Sequence, residues 1–175
     1  HNRHWDGWIL KAVKEVVDNK KIGEVYRVDL TFGNYSMPRD WWRTSKSISG
    51  GVLYDWSCHL LEYALQLTPG NLAEVSGYAQ HGHWEAQAPK GFPFIGDMNE
   101  DDASLVARFD TGAHIHLRVS HLNAEAGVPF MKVYGTKGVY IMLNMGGAKS
   151  EKPGWLMRRG LKSGKISETT GNHEK

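Results

Sequence analysis

The sequence contains one cysteine, Cys58, in 175 residues. That excludes an internal disulfide and fits a reducing compartment, so a cytoplasmic location is expected. No apolar run approaches the roughly 20 residues that a membrane-spanning helix needs, so no membrane partner is expected. The opening His1-Asn2-Arg3-His4-Trp5 lacks the apolar core of a secretory leader, although a chain that starts mid-protein would have lost one. Charge of one sign is also missing. The 21 basic and 19 acidic residues leave +2, and the basic ones are scattered rather than gathered into an arm or stripe, which argues against nucleic acid as a partner. There is no internal repeat, no low-complexity tract and no Gly-rich strand-turn-helix fingerprint. What is present, 41% hydrophobic and 23% charged residues, suits a soluble globular chain. Residues 1–175 are read as a single domain, long enough to bury roughly 70% of the surface of its unfolded chain.

Trp5, Trp8, Ile9, Ala12, Val13, Val16 and Val17 recur at helical spacing, with Lys11, Lys14, Glu15 and Asp18 between them. From Glu24 to Tyr35 the pattern switches to alternation, with Val28, Leu30 and Phe32 on one face and Arg27, Asp29 and Thr31 on the other, which predicts a long strand. Residues 36–50 have no period and read as a loop carrying Arg39, Trp41, Trp42 and Arg43. Helical spacing returns over Val52 to Leu67, with Leu53, Leu60, Leu61, Ala64 and Leu65 on one face and Asp55, His59, Glu62 and Gln66 on the other. Strands are predicted at Ala73–Gln80, Ala103–Phe109, Ala113–His121, Phe130–Tyr134 and Val139–Leu143. Asp110-Thr111-Gly112 and Gly135-Thr136-Lys137-Gly138 serve as hairpin turns, and His81 to Glu100 as a long loop. The Gly-rich last thirty residues read as a loosely held ribbon. Helix, strand, helix and then a run of strands predicts an α+β fold: a largely antiparallel open sheet with helices packed on one face.

The most informative local feature is Asp55-Trp56-Ser57-Cys58-His59. An aspartate one turn before a histidine can fix the ring's tautomer and raise its basicity, which is how a general base is built. The bland alternative is a solvated helix face. Ser49-Gly50-Gly51 just before it lets a backbone approach a ligand closely.

Four passages in order resemble the C-terminal domain of the glucose-fructose oxidoreductase, inositol dehydrogenase and rhizopine catabolism (Gfo/Idh/MocA) family. They are Lys21-Ile22-Gly23-Glu24-Val25, the run Ser49-Gly50-Gly51 through Asp55 to His59, Asp101-Asp102-Ala103 leading to Phe109-Asp110-Thr111-Gly112, and Val133-Tyr134-Gly135-Thr136-Lys137-Gly138. The resemblance implies a dihydrodipicolinate-reductase-like domain of a two-domain dehydrogenase. An N-terminal Rossmann domain and a further C-terminal helix would lie outside this chain. NAD or NADP would be bound mainly by that Rossmann domain, and the substrate would be a sugar, cyclitol or related polyol. By resemblance His59 is the catalytic acid/base and Asp55 its orienting partner, and Gly50 and Gly51 approach the cofactor. The loop over the substrate brings Trp42, Arg43 and Arg39, and His121 adds a contact beside Asn123. The family's catalytic lysine belongs to the Rossmann domain, and Glu151-Lys152-Pro153 here only spells its motif. Ser49 departs from the family's glycine triplet. The resemblance further implies a homodimer or homotetramer through the open sheet face.

Two other readings compete. One is a non-catalytic scaffold or sugar-binding module of the same fold. The other is a metal-binding β-domain built on His81 with His83 and His114 with His116; because no third ligand is spaced with them, no metal site is expected. The acidic stretch Asp97 to Asp102 reads equally well as a solvated loop.

Overall fold

The computed structural model describes residues 3–125 and 128–143, together with the backbones of two short strands further on. Helix α1 (Gly7–Val13) runs into a π-helical turn at Lys14–Asp18 and buries Trp8, Ile9, Ala12 and Val16. Two residues of the predicted apolar stripe leave it. Trp5 is 74% exposed because the helix starts only at Gly7, and Val17 is 38% exposed because the wider π turn rotates it off the buried face.

Strand β1 (Val25–Gly33) follows. The predicted loop contains a 3-10 turn at Trp42–Thr44 and a one-turn helix α2 (Lys46–Ser49). The second long helix opens with a π turn at Leu53–Ser57 and continues as α3 (Cys58–Leu67), which buries Leu60, Tyr63, Ala64 and Leu67. Then come β2 (Leu72–Gln80), a five-residue helix α4 (His83–Gln87), β3 (Asp102–Phe109), β4 (His114–Ser120), β5 (Met131–Gly135) and β6 (Gly138–Met142). The backbones of β7 (Trp155–Arg158) and β8 (Ser167–Glu168) extend the sheet beyond β6, two strands that the Gly-rich composition did not suggest. The rest of the C-terminal ribbon, Glu151-Lys152-Pro153 included, lies outside the described residues.

The sheet runs β2-β3-β4-β1-β5-β6-β7-β8. Its ladders are antiparallel except for β1 with β4, which are parallel with Val28 opposite Ile115 and Leu30 opposite Leu117. This is the expected α+β arrangement. Val28, Leu30, Ile115, Leu117, Met131 and Val133 meet α1 and α3, and Trp8 sits edge-on to Tyr63 and Phe130 at ring separations of 4.5 and 5.6 Å. Each large side chain so buried contributes roughly 1.5–3 kcal/mol. The opposite face has no helix over it among the described residues. It carries Arg27 on Asp29, Arg118 on Asp102 and Arg108 on Glu74, with His114 and His116 beside Arg27 and Asp29 in register.

Because β1 and β4 are parallel, both end at the same edge. Gly33 closes β1 there at φ 135, and a Cβ on it would lie 1.8 Å from the Ser120 carbonyl oxygen, so only glycine allows the two strand ends to converge.

Candidate active site

A cavity of about 810 Å³ opens where β1 and β4 end. Its walls come from Phe32 and Gly33 of β1, the following segment with Arg39, Trp41 and Arg43, the π turn with Asp55 and Trp56, the buried Asn99, Ser120 at the end of β4, and His121, Asn123 and Glu125 after it. Phe32 stacks on Trp56 at 3.8 Å, which fixes the π turn against the strand.

The segment 97–101 holds this wall together. It is not a solvated acidic loop, because its polar side chains have defined partners. Asp97 accepts from the hydroxyls of Ser45 and Ser47 and from the Ser47 amide at 3.0 Å, and so ties down the start of α2. Asn99 donates through Nδ2 to the Arg43 carbonyl at 2.5 Å and to Ser49 Oγ at 2.8 Å. Glu100 accepts from Lys46 Nζ at 2.6 Å and from the Val52 amide at 2.9 Å. Asp101 accepts from the amides of His83 and Trp84, which explains why α4 forms inside the predicted loop. Burial alone would raise the Glu100 carboxyl, but Lys46 and the backbone amides outweigh it and hold the group below its ordinary value.

A carboxyl lowered in the folded state contributes stability above its unfolded value and loses it as pH falls through the folded one. Glu100→Ala is therefore expected to cost about 1–3 kcal/mol near neutral pH. The gap to wild type in urea denaturation should shrink below about pH 4. A pH-independent gap would show that the charge on Glu100 contributes nothing.

Asp55 is held by an arginine. Arg43 Nη1 donates to both its carboxylate oxygens, at 2.6 and 2.7 Å. The carboxylate, expected from the helical spacing to orient His59, lies on the cavity wall at the π turn Leu53–Ser57, and its charge acts on the ring. His59 is half-buried and does not line the cavity; its ring lies edge-on to Trp56 at 5.8 Å. Burial lowers its pKa, Arg3 and Arg43 lower it further, and Asp55 and Asp6 pull the other way. The net direction is down, which keeps the imidazole neutral over more of the pH range.

Of the other residues singled out from sequence, Arg39 and His121 line the cavity. His121 Nδ1 is buried without a hydrogen-bond partner among the described residues, and burial lowers its pKa, with Asp101 opposing. Trp42 is exposed and off the wall, where it flanks the Arg43 guanidinium; Trp41 takes the place on the wall that the sequence reading gave to Trp42. Gly50 is exposed at φ 82. Gly51 is buried, and a Cβ there would come within 2.9 Å of the Glu100 carboxylate, so its bareness serves packing inside the domain. Asn99 was missed, because a lone asparagine in an acidic stretch carries no periodic signal. The His114 and His116 rings are 5.1 Å apart on the open face, and among the described residues no group of three His, Cys, Asp or Glu gathers as a metal site.

The family model described as the GFO/IDH/MocA C-terminal domain matches residues 10–141. The chain belongs to this family. The family's domain fold is shared with an NAD-binding protein from Listeria innocua, 26% identical over 90% of this chain and 41% of that one, with a TM-score of 0.67. An NAD-binding oxidoreductase from Klebsiella pneumoniae is 23% identical over 96% of this chain and 45% of that one, at a TM-score of 0.69. A levoglucosan dehydrogenase solved with NADH and levoglucosan is 16% identical over 98% of this chain and 45% of that one, at a TM-score of 0.71. The last two likenesses carry the fold alone. No curated protein matches the sequence. This Gfo/Idh/MocA domain spans less than half the length of the solved proteins described here. No helix among its described residues is long and apolar enough to cross a membrane.

Proposed function

We propose that this chain is the substrate-side domain of an NAD(P)-dependent oxidoreductase that moves hydride between a nicotinamide and a sugar, cyclitol or related polyol. The observation that carries the reading is the cavity at the shared ends of β1 and β4. It is walled by groups that match hydroxyls, namely Arg39, Asn99, His121 and Asn123, and by the Asp55 carboxylate one turn from His59. The levoglucosan dehydrogenase solved with NADH and levoglucosan shares a fold of this kind, with which a sugar substrate is compatible.

In this reading Arg39 and His121 hold the sugar, Arg43 flanks it with Trp42 packed behind the guanidinium, and His59 accepts the proton of the reacting hydroxyl. Asp55 balances the charge that the ring gains. The nicotinamide, when bound, supplies hydride-transfer chemistry. A Rossmann domain outside this chain would hold most of the dinucleotide, and of the two glycines Gly50 offers bare, exposed backbone next to the site while Gly51 serves Glu100. The open sheet face, with its paired charges, would join copies into a homodimer or homotetramer in the cytoplasm.

The full-length protein is expected to reduce NAD or NADP in the presence of at least one member of a panel of sugars and cyclitols, followed by absorbance. The acid limb of its kcat/KM profile should fall below the ordinary histidine value of about 6.5, because a lowered ring stays a base until more acid pH; a limb above that value would contradict the role of His59. The isolated chain should not bind NADH at micromolar concentration in calorimetry, and micromolar binding would contradict the division of labour between domains. Two observations favour a second reading, a non-catalytic sugar-binding module: Arg43 takes both oxygens of Asp55, and His59 is off the cavity wall. Sugar binding without turnover across the panel would support it.

A further inference from the structure

Arg43 is committed on three sides. Nη1 donates to both oxygens of Asp55, at 2.6 and 2.7 Å. The guanidinium carbon sits 5.2 Å from the Trp41 ring centroid and 4.8 Å from that of Trp42, a flat cation set against two indoles. Its main-chain carbonyl is held by the buried Asn99 at 2.5 Å. The ion pair is also largely out of water, with the Asp55 side chain 16% exposed and that of Arg43 33% exposed. Two of the five N–H donors of the guanidinium go to Asp55, and with the two indoles and Asn99 around it the place of the group is set before any sugar arrives.

We propose that Arg43 is a positioning residue of the acid/base site, which locks the Asp55 carboxylate on the cavity wall and so acts on the chemistry through Asp55 rather than by gripping the substrate. This rests on the reading of His59 as the acid/base. The indoles of Trp41 and Trp42 and the amide of Asn99 then work on the position of Arg43, which accounts for two exposed tryptophans beside a buried asparagine. The charges that act on the His59 ring are Arg3, Asp55, Arg43 and Asp6, so the pair contributes one charge of each sign, Arg43 lowering its pKa and Asp55 raising it.

The test is a double-mutant cycle in the full-length protein. Arg43→Lys keeps the charge but loses the planar fork and the stacking. It should lower kcat on the order of a hundredfold, the scale of a misplaced catalytic group, and leave KM for the sugar within about threefold. Asp55→Asn should lose a similar factor, and the double variant should be no worse than Asp55→Asn alone, because both changes break one interaction. A raised KM with kcat retained would make Arg43 a substrate ligand and overturn the proposal, as would losses that multiply in the double variant.

Arg43→Met gives a readout without turnover. It removes a charge that lowers the His59 pKa and frees Asp55, so the ring, followed by 15N NMR of labelled histidine, should titrate at higher pH than in wild type. An unmoved His59 titration overturns the proposal, and if Arg43→Met does not fold, the Arg43→Lys cycle decides alone. Failure of the acid/base reading has a separate mark: His59→Ala would then keep its turnover whatever Arg43 does.

Discussion

Replacing His59 by Ala in the full-length protein is expected to lower kcat by about 10²–10⁴-fold, the range that a positioned acid/base contributes, with dinucleotide affinity nearly unchanged. The size follows from the state of the ring. Burial and the charges of Arg3 and Arg43 lower its pKa against the pull of Asp55 and Asp6, so the form that accepts a proton is kept over more of the pH range. Cofactor affinity should hold because, in the proposed division of labour, a Rossmann domain outside this chain holds most of the dinucleotide. Steady-state kinetics, with dinucleotide binding measured alongside, checks both halves. Unaltered turnover would remove His59 from the mechanism, and a matched loss of cofactor affinity would show that the residue supports the architecture instead.

Leu60→Ala is expected to destabilise the domain by about 2–5 kcal/mol, the cost of removing a fully buried leucine and leaving the space unfilled. Leu60 is 0% exposed on the face of α3 that meets the sheet, one position after His59. The change should lower the urea midpoint without altering the slope. A loss under about 1 kcal/mol would mean that the α3 interface repacks freely, contrary to the density of this core.

Leu60 also shows why so much of the fold was legible. Its burial follows from a 3.6-residue period that a single sequence displays, as the alternation of Val28, Leu30 and Phe32 displays a strand. Strand limits differed from expectation by a residue or two, and both hairpin turns were marked by glycine. What periodicity missed were features set by single partners. The π turns at Lys14–Asp18 and Leu53–Ser57 change the spacing by one residue within a pattern that still reads as helix, and Asp55 in the second of them lies on the cavity wall. Helix α4 exists because Asp101 receives its first amides, a contact between residues 17 and 18 apart. Strand β2 was legible as a strand, yet all nine of its residues are exposed, because alternation says nothing about which edge the helices reach.

The site divides in the same way. Asp55, Arg39, Arg43 and His121 come together around one cavity from three separate stretches of sequence. The resemblance to known passages pointed to them; spacing alone did not. Asn99 and Glu100 became visible only when the acidic stretch was seen to fold back on residues 43–52. Long-range hydrogen bonds of this kind leave no local mark, which is why the strap that shapes the wall read as solvated loop.

The most direct measurement is a crystal structure of the full-length protein with NADH and the polyol that it turns over. The expected result is the sugar seated at the ends of β1 and β4, in contact with Arg39 and His121 and with its reacting hydroxyl within hydrogen-bond reach of His59. A sugar bound elsewhere, or one in this cavity with His59 still turned away, would contradict the assignment.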